Sequence, residues 1–342
     1  MRMADELVEP AVRHVEGIER IVAVKGQGYF PVLVKLADGS LGAVIRGGAP
    51  HIGRAGRLDW IRSTDGGKTW SAPTVIVDSE WDDRNPAVGV MPDGAIVVAW
   101  AEASTYNEKG EFDVEAGAYT PKFSISTDAG AAWSKPKLLE ASFDNGSPYG
   151  RIIVLADGTA LMSMYQFPSD ATCILRSTDK GRTWGDATEL PGHDETALLE
   201  KPDGNLLAFT RAEGSGTHGL DLAESTDGGR TWCEPLPHLK PHQWPFDACI
   251  SPDGGILLTY GCRIGPYGVG AVLSHDGGET WRFSHRVFLA WDSESTDTGY
   301  PSTVLLDDGT IVTMYYAVGT ADLPGVEQAL VLRYREDQLR HD

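Results

Sequence analysis

The 342-residue chain is poor in cysteine, poor in positive charge and free of long apolar runs. Each shortage excludes something. Four cysteines, Cys173, Cys233, Cys249 and Cys262, do not make a dense disulfide framework, so free thiols are expected. No stretch approaches the roughly 18 apolar residues of a transmembrane helix. The opening MRMADELVEPAVRHVEGIERIV has no apolar run long enough for a signal peptide. A cytoplasmic location is therefore expected, or secretion if a leader has been removed. Lysine and arginine number 29 against 49 acids, a net charge of -20. Such a surface is a poor partner for nucleic acid or an anionic membrane, and an anionic ligand would need a local arginine cluster to override the field. Motifs for bound ions are missing too. No phosphate-cradling glycine loop appears, the acidic stretch YNEKGEFDVEAG lacks EF-hand spacing, and His238 and His242 with Cys233 make no credible zinc set. Neither a metal nor a cofactor is expected.

Glycine and repetition are abundant. There are 40 glycines, and one eight-residue frame, Ser-x-Asp-x-Gly-x-x-Trp, occurs five times: STDGGKTW from Ser63, STDAGAAW from Ser126, STDKGRTW from Ser177, STDGGRTW from Ser225 and SHDGGETW from Ser274. A second repeat alternates with it. Six times an apolar run meets Asp-Gly and another apolar run follows, with the glycines at 39, 94, 158, 204, 254 and 309. Asp-Gly between two such runs marks a β-hairpin. A unit therefore reads strand, Asp-Gly turn, strand, loop, strand, box, strand, a four-stranded antiparallel meander of the size of a propeller blade. The expected fold is an all-β, six-bladed β-propeller, one domain over residues 1–342. The sixth unit has no box and only one further strand, so the N-terminal segment near ERIVAVKGQG is expected to close the ring and cover its edge. The boxes are read as turns: Asp accepting backbone N–H bonds, Gly with positive φ, Trp folded back on the blade.

In a propeller, function gathers on one face, at the starts of the innermost strands and in the loops after the second strands. That face should collect Arg46, His51, Arg54, Arg57, Asp82, Asp83, Arg84, Arg151, Glu195, Arg211, Asp247, Arg263 and Tyr300. Several arginines converging on an axis in an acidic protein suggest an anionic ligand, each desolvated fork with a carboxylate contributing about 1.5–3 kcal/mol. Any one of them can instead tie a loop by pairing with Asp82, Asp83, Asp194 or Asp247.

With boxes, hairpins and these residues together, the chain resembles the sialidase (neuraminidase) superfamily. DETALLEKPDGNLLAFTR resembles the segment where a glutamate opens an inner strand and an arginine closes the next. The resemblance thus implies Glu195 and Arg211. YGCRIGPYGVGAVLSHDGGETW resembles the segment with another arginine of the carboxylate-binding triad, Arg263, and DTGYPSTVLLDDG the segment with the nucleophilic tyrosine, Tyr300. The chemistry suits an acidic sugar: a carboxylate on the anomeric carbon would repel a carboxylate nucleophile and tolerates a neutral phenol. A phenol with a reference pKa of about 10 needs a base, here Glu195. Two departures stand out. Where the family has an Arg-Ile-Pro arginine this chain has Tyr29-Phe30-Pro31, and where the family has an acid/base aspartate the loop RGGAPHIGRAGR offers His51. Arg46, Arg54, Arg84 or Arg151 can supply the missing charge, with Asp247 among the binding residues. His51 or Asp83 can supply the proton. The expected activity is an exo-acting glycoside hydrolase releasing a terminal acidic sugar, sialic acid or a related ulosonic acid. Two alternatives stay open: a uronate-directed hydrolase or lyase with catalytic His51, and a non-catalytic propeller that binds acidic glycans.

Overall fold

The computed structural model describes residues 13–140, 143–168, 171–191, 194–212, 219–237 and 243–340. Strand β1 (Glu19–Lys25) precedes six successive groups. These are β2–β5 (Tyr29–Lys35, Leu41–Gly47, Arg57–Ser63, Thr74–Val77), β6–β9 (Asp82–Val90, Ile96–Ala103, Tyr119–Ser126, Lys137–Leu138) and β10–β13 (Gly146–Val154, Ala160–Gln166, Ala171–Ser177, Gly185–Pro191). They continue with β14–β17 (Thr196–Glu200, Leu206–Ala212, Gly219–Ser225, Leu236–Pro237), β18–β21 (Gln243–Ile250, Ile256–Cys262, Gly268–Ser274, Val287–Ala290) and β22–β24 (Thr298–Leu305, Ile311–Thr320, Leu323–Tyr334). Among the described residues only short 3₁₀ turns interrupt the strands, and no helix is long and apolar enough to cross a membrane.

The arrangement is all-β and propeller-like. Within each group consecutive strands pair antiparallel. The first strands β2, β6, β10, β14, β18 and β22 touch one another in succession, and β22 touches β2. The N-terminal strand β1 pairs antiparallel with β24, from Glu19 opposite Arg333 to Lys25 opposite Gln328, and completes the last sheet in the order β1-β24-β23-β22. Separate sheets are not formed throughout, however. The second and third groups fuse into one eight-stranded sheet through a parallel contact of β10 with β6, Gly150 opposite Ala87 and Arg151 opposite Val88. The sequence explains why here. Gly89 has no side chain, and a Cβ there would lie 2.6 Å from the Ile152 carbonyl oxygen, so the two inner strands come within hydrogen-bonding distance.

The Asp-Gly hairpins are not two-residue turns. Gly39 N–H donates to Leu36 C=O and Leu36 N–H to Ser40 C=O, a three-residue loop with Gly39 at φ 80°. This is a type I turn followed by a left-handed residue, the second common hairpin solution. The boxes behave as read. In the first, Asp65 Oδ1 accepts from Lys68 N–H at 3.0 Å and Thr69 N–H at 2.9 Å, and Trp70 Nε1 donates back to Gly67 C=O. Each box also stitches its group to the one before it. The Gly66 carbonyl accepts from Arg333 on β24, Gly130 sits against Trp60 and Gly181 against Val97.

Candidate active site

The inner strands are irregular at their axial ends, and the irregularity aims the site. Register shifts fall between Tyr29 and Val32, Arg84 and Ala87, Tyr149 and Ile153, Gln243 and Phe246, and Gly299 and Ser302. These are β-bulges, which bend a strand and redirect a side chain. In three of them the residue before a proline is left-handed: Phe30 at φ 50°, Asn85 at 51° and Tyr300 at 50°. For bulky residues that conformation costs on the order of 1–3 kcal/mol, and such strain clusters at functional sites.

Tyr300 and Glu195 come together across the axis. Tyr300 Oη donates to Glu195 Oε1 at 2.5 Å. Glu195 immediately precedes β14, and Arg211 lies directly opposite on β15, its N–H bonded to the Glu195 carbonyl. That hairpin register puts both side chains on one face, where Arg211 Nη1 donates to Glu195 Oε2 at 2.8 Å. The Arg211 guanidinium also lies 4.9 Å from the Trp244 ring. Arg263 stacks 5.5 Å over the Tyr300 ring and donates to the Thr298 carbonyl at 3.2 Å. Burial pushes the Tyr300 phenol well above its ordinary pKa and the Glu195 charge pushes it further, against the pull of Arg211 and Arg263. The phenol is therefore neutral, and only transfer of its proton to Glu195 can make it a nucleophile.

His51 stands on the neighbouring wall. Its Nδ1 is 2.7 Å from Asp297 Oδ1, and the same oxygen accepts from Tyr316 Oη at 2.7 Å. Tyr316 is in turn 3.4 Å from Arg263 Nη2. The His51 ring packs edge-on against Phe30 at 5.0 Å, and Phe30 packs against Tyr300 at 4.8 Å.

The remaining expected residues are placed differently. Arg46 is wholly buried and all its nitrogens are used: Nε and Nη2 on Asp82, Nη1 on the Pro50 carbonyl, Nη2 on the Gly53 carbonyl. It holds its own loop and presents no donor to a ligand. Asp83 does not face Tyr300. Its oxygens accept from Trp100 Nε1 and Ser79 N–H, and burial pushes its pKa up to about 6. Strand alternation accounts for this, since Asp82 takes the axial side with Arg46, Arg84 and Tyr106. Arg151 and Asp247 pair at 2.9 Å below Tyr300, where Asp247 Oδ2 also caps Thr303 N–H. Both line a cavity of about 20 Å³ beneath the phenol, with Tyr149 and Phe246. Arg84 lies near Phe30, 5.7 Å over its ring, and contacts Asp82 at 3.3 Å; its buried Nε has no partner among the described residues. Arg54 stacks on Trp81, and Arg57 pairs with Asp59. His238 and His242 lie outside the described residues; among the described ones no group of three metal-binding side chains occurs.

Comparison with known proteins settles the family. The BNR repeat-like domain matches residues 61–313, the greater part of the chain. The chain belongs to the BNR repeat-like family. This BNR repeat-like protein is 24% identical over 302 residues to a sialidase of Bacteroides fragilis, covering 74% of this chain and 53% of that one. It is 30% identical over 118 residues to an exo-alpha-sialidase of Aspergillus fumigatus, covering 29% of each. The chain thus spans about half the length of the bacterial relative and less of the fungal one. Among solved structures, a Dyadobacter fermentans protein of unknown function superposes with TM-score 0.78 at 23% identity, over 93% of this chain and 99% of that one. Trypanosoma rangeli sialidase with sialic acid superposes with TM-score 0.68 at 18% identity, over 94% and 60%. The family match and the sialidase relative support a sialidase-like superfamily, and the superpositions show the fold.

Sequence reading passed over Asp297, Tyr316 and Trp244. A signal for Tyr316 exists. It stands on the second strand opposite Gly299, the place that Arg46 takes opposite Tyr29 and Arg211 opposite Glu195. Asp297 lies three residues before Tyr300 in DTGYPSTV, and only the fold reveals its partner from the first group.

Proposed function

We propose that this protein is an exo-acting glycoside hydrolase that releases a terminal acidic sugar, sialic acid or a related ulosonic acid. The six hairpins and the closed succession of inner strands support reading the fused sheet as two of six blades around one funnel. The observation that carries the function is the 2.5 Å hydrogen bond from Tyr300 to Glu195. A binding module has no use for a phenol bonded to a carboxylate at the floor of an arginine-flanked site.

Tyr300 Oη attacks the anomeric carbon, and its proton passes to Glu195 Oε1 as the bond to the leaving oxygen breaks. Water then displaces the phenol from the glycosyl–tyrosine, Glu195 returns the proton to Tyr300 Oη, and the proton shed by that water replaces the one taken up by the leaving oxygen, so configuration is retained overall. Arg211 holds Glu195 in place through Oε2, and Arg211 and Arg263 offer positive charge to the sugar carboxylate. The test is Tyr300→Phe, assayed on aryl glycosides of sialic, ulosonic and uronic acids. Turnover should fall by about 10³-fold or more while ligand binding survives. Full activity in that variant would refute the tyrosine mechanism. Unsaturated product with new ultraviolet absorbance would indicate a uronate lyase instead.

A further inference from the structure

We infer that His51 is the proton donor to the leaving group and that Asp297 is its positioning residue. The inference rests on the glycosidase reading and adds to it the group that the Tyr300–Glu195 pair cannot supply. Glu195 is already bonded to Tyr300 and Arg211, and it takes up a proton as the glycosidic bond breaks. The departing oxygen needs a proton from elsewhere. Asp83 cannot provide it, because its oxygens face Trp100 and Ser79.

The hydrogen bonds define the tautomer. The carboxylate of Asp297 is an acceptor, and its Oδ1 already takes the Tyr316 hydroxyl proton, so His51 Nδ1 carries a hydrogen and donates it. Asp297 is partly buried, which raises its pKa, yet the His51 and Tyr316 hydrogen bonds and the nearby cations hold it below the ordinary carboxylate value. It stays charged and fixes Nδ1, so the hydrogen that His51 offers a substrate is the one on Nε2. Nε2 has no hydrogen-bond partner among the described residues, and the side chain is 30% exposed. A histidine oriented by a carboxylate at one nitrogen and open at the other is the geometry of a general acid–base pair. His51 and Tyr300 both pack on Phe30, at 5.0 and 4.8 Å, so the donor and the nucleophile share one wall of the site. Nε2–H protonates the leaving oxygen as the glycosidic bond breaks. The neutral imidazole then accepts a proton from the water that attacks the glycosyl–tyrosine, which restores the starting state.

The experiment compares the parent protein, His51→Ala and Asp297→Asn on two probes, 4-nitrophenyl N-acetylneuraminic acid and the poorly leaving methyl glycoside of the same sugar. Loss of a proton donor should lower kcat/KM about 10²–10⁴-fold on the methyl glycoside and less than about tenfold on the nitrophenyl one. Asp297→Asn should lower kcat more than it changes KM, and the imidazole Nδ1–H signal of His51 should vanish from the NMR spectrum. An equal loss on both probes, or none, overturns the His51 role while leaving Tyr300 untouched. If the parent hydrolyses neither probe nor the aryl glycosides of related ulosonic acids, the glycosidase reading fails and the donor role falls with it; if Tyr300→Phe remains active and a fluorinated glycosyl fluoride leaves no adduct on Tyr300, the tyrosine mechanism alone fails.

Discussion

Two neighbouring aspartates of β6 illustrate how environment assigns a carboxylate its job. Asp82 lies among guanidinium groups, with Arg46 on one oxygen and Arg84 and Tyr106 on the other. Asp83 lies on the opposite side, sealed under Trp100, and burial lifts its pKa to about 6. The folded protein therefore binds a proton at Asp83 more readily than the unfolded chain does between about pH 4 and pH 6. By linkage, its share of stability declines as pH rises through that window, by up to about 3 kcal/mol for a displacement of about two units. Asp83→Asn cannot titrate. Urea denaturation of parent and variant at pH 4.5 and 7.5 should show the variant gaining on the parent by about 2 kcal/mol at the higher pH. The box aspartates act in the opposite sense and at lower pH. Asp65, Asp179 and Asp227 are held at about 2, chiefly by the Thr hydroxyl and N–H bonds, so their contribution disappears only as pH falls below the ordinary carboxylate range.

At the scale of the element, legibility depends on whether the signal is local. The boxes and Asp-Gly hairpins are local, so groups of four strands and the closing N-terminal strand could be read from the sequence. Glu195 and Arg211 were readable for a similar reason: one hairpin brings them face to face. Asp83 was misread because strand alternation and a bulge together decide which face a residue takes, and a shift of one position reverses the answer. The fused sheet was missed because it depends on a Gly89 that meets Ile152 from another group. The boxes themselves yield a further expectation. Gly181 has φ 76°, and a Cβ there would lie 2.5 Å from Val97 Cγ2 on the preceding group. Gly181→Ala combines left-handed strain with overpacking, so it should destabilise by about 2–4 kcal/mol. Chemical denaturation measures this, and an unaltered midpoint would mean the box is not a stitch between groups.

At the scale of the molecule, the site exists only because the ring is closed. Tyr300 comes from the last group, His51 and Phe30 from the first, and Glu195 from the fourth, so the Tyr300–Glu195 and Tyr300–Phe30 contacts join distant parts of the chain. The chain runs from β1 in the last sheet directly into β2 of the first group, so β1 ties the two together. Strand β1 is mostly half-buried, and it pairs only with β24, helped by the Arg20–Asp292 and Arg333–Glu19 ion pairs. Removing β1 would bare the twelve-residue strand Leu323–Tyr334 as a free edge, and a long free edge invites pairing with other chains. A variant lacking residues 1–25 should therefore melt at lower temperature and aggregate more than the full chain. It should also lose activity in parallel, because Tyr300 on β22 and His51 after β3 keep their spacing only while the groups stay joined. Light scattering and calorimetry on the two chains test the stability claim, and assays of the soluble fraction test the coupling. A truncated chain that stays dispersed, melts as the parent does and retains full turnover would show that the ring holds without its N-terminal strand.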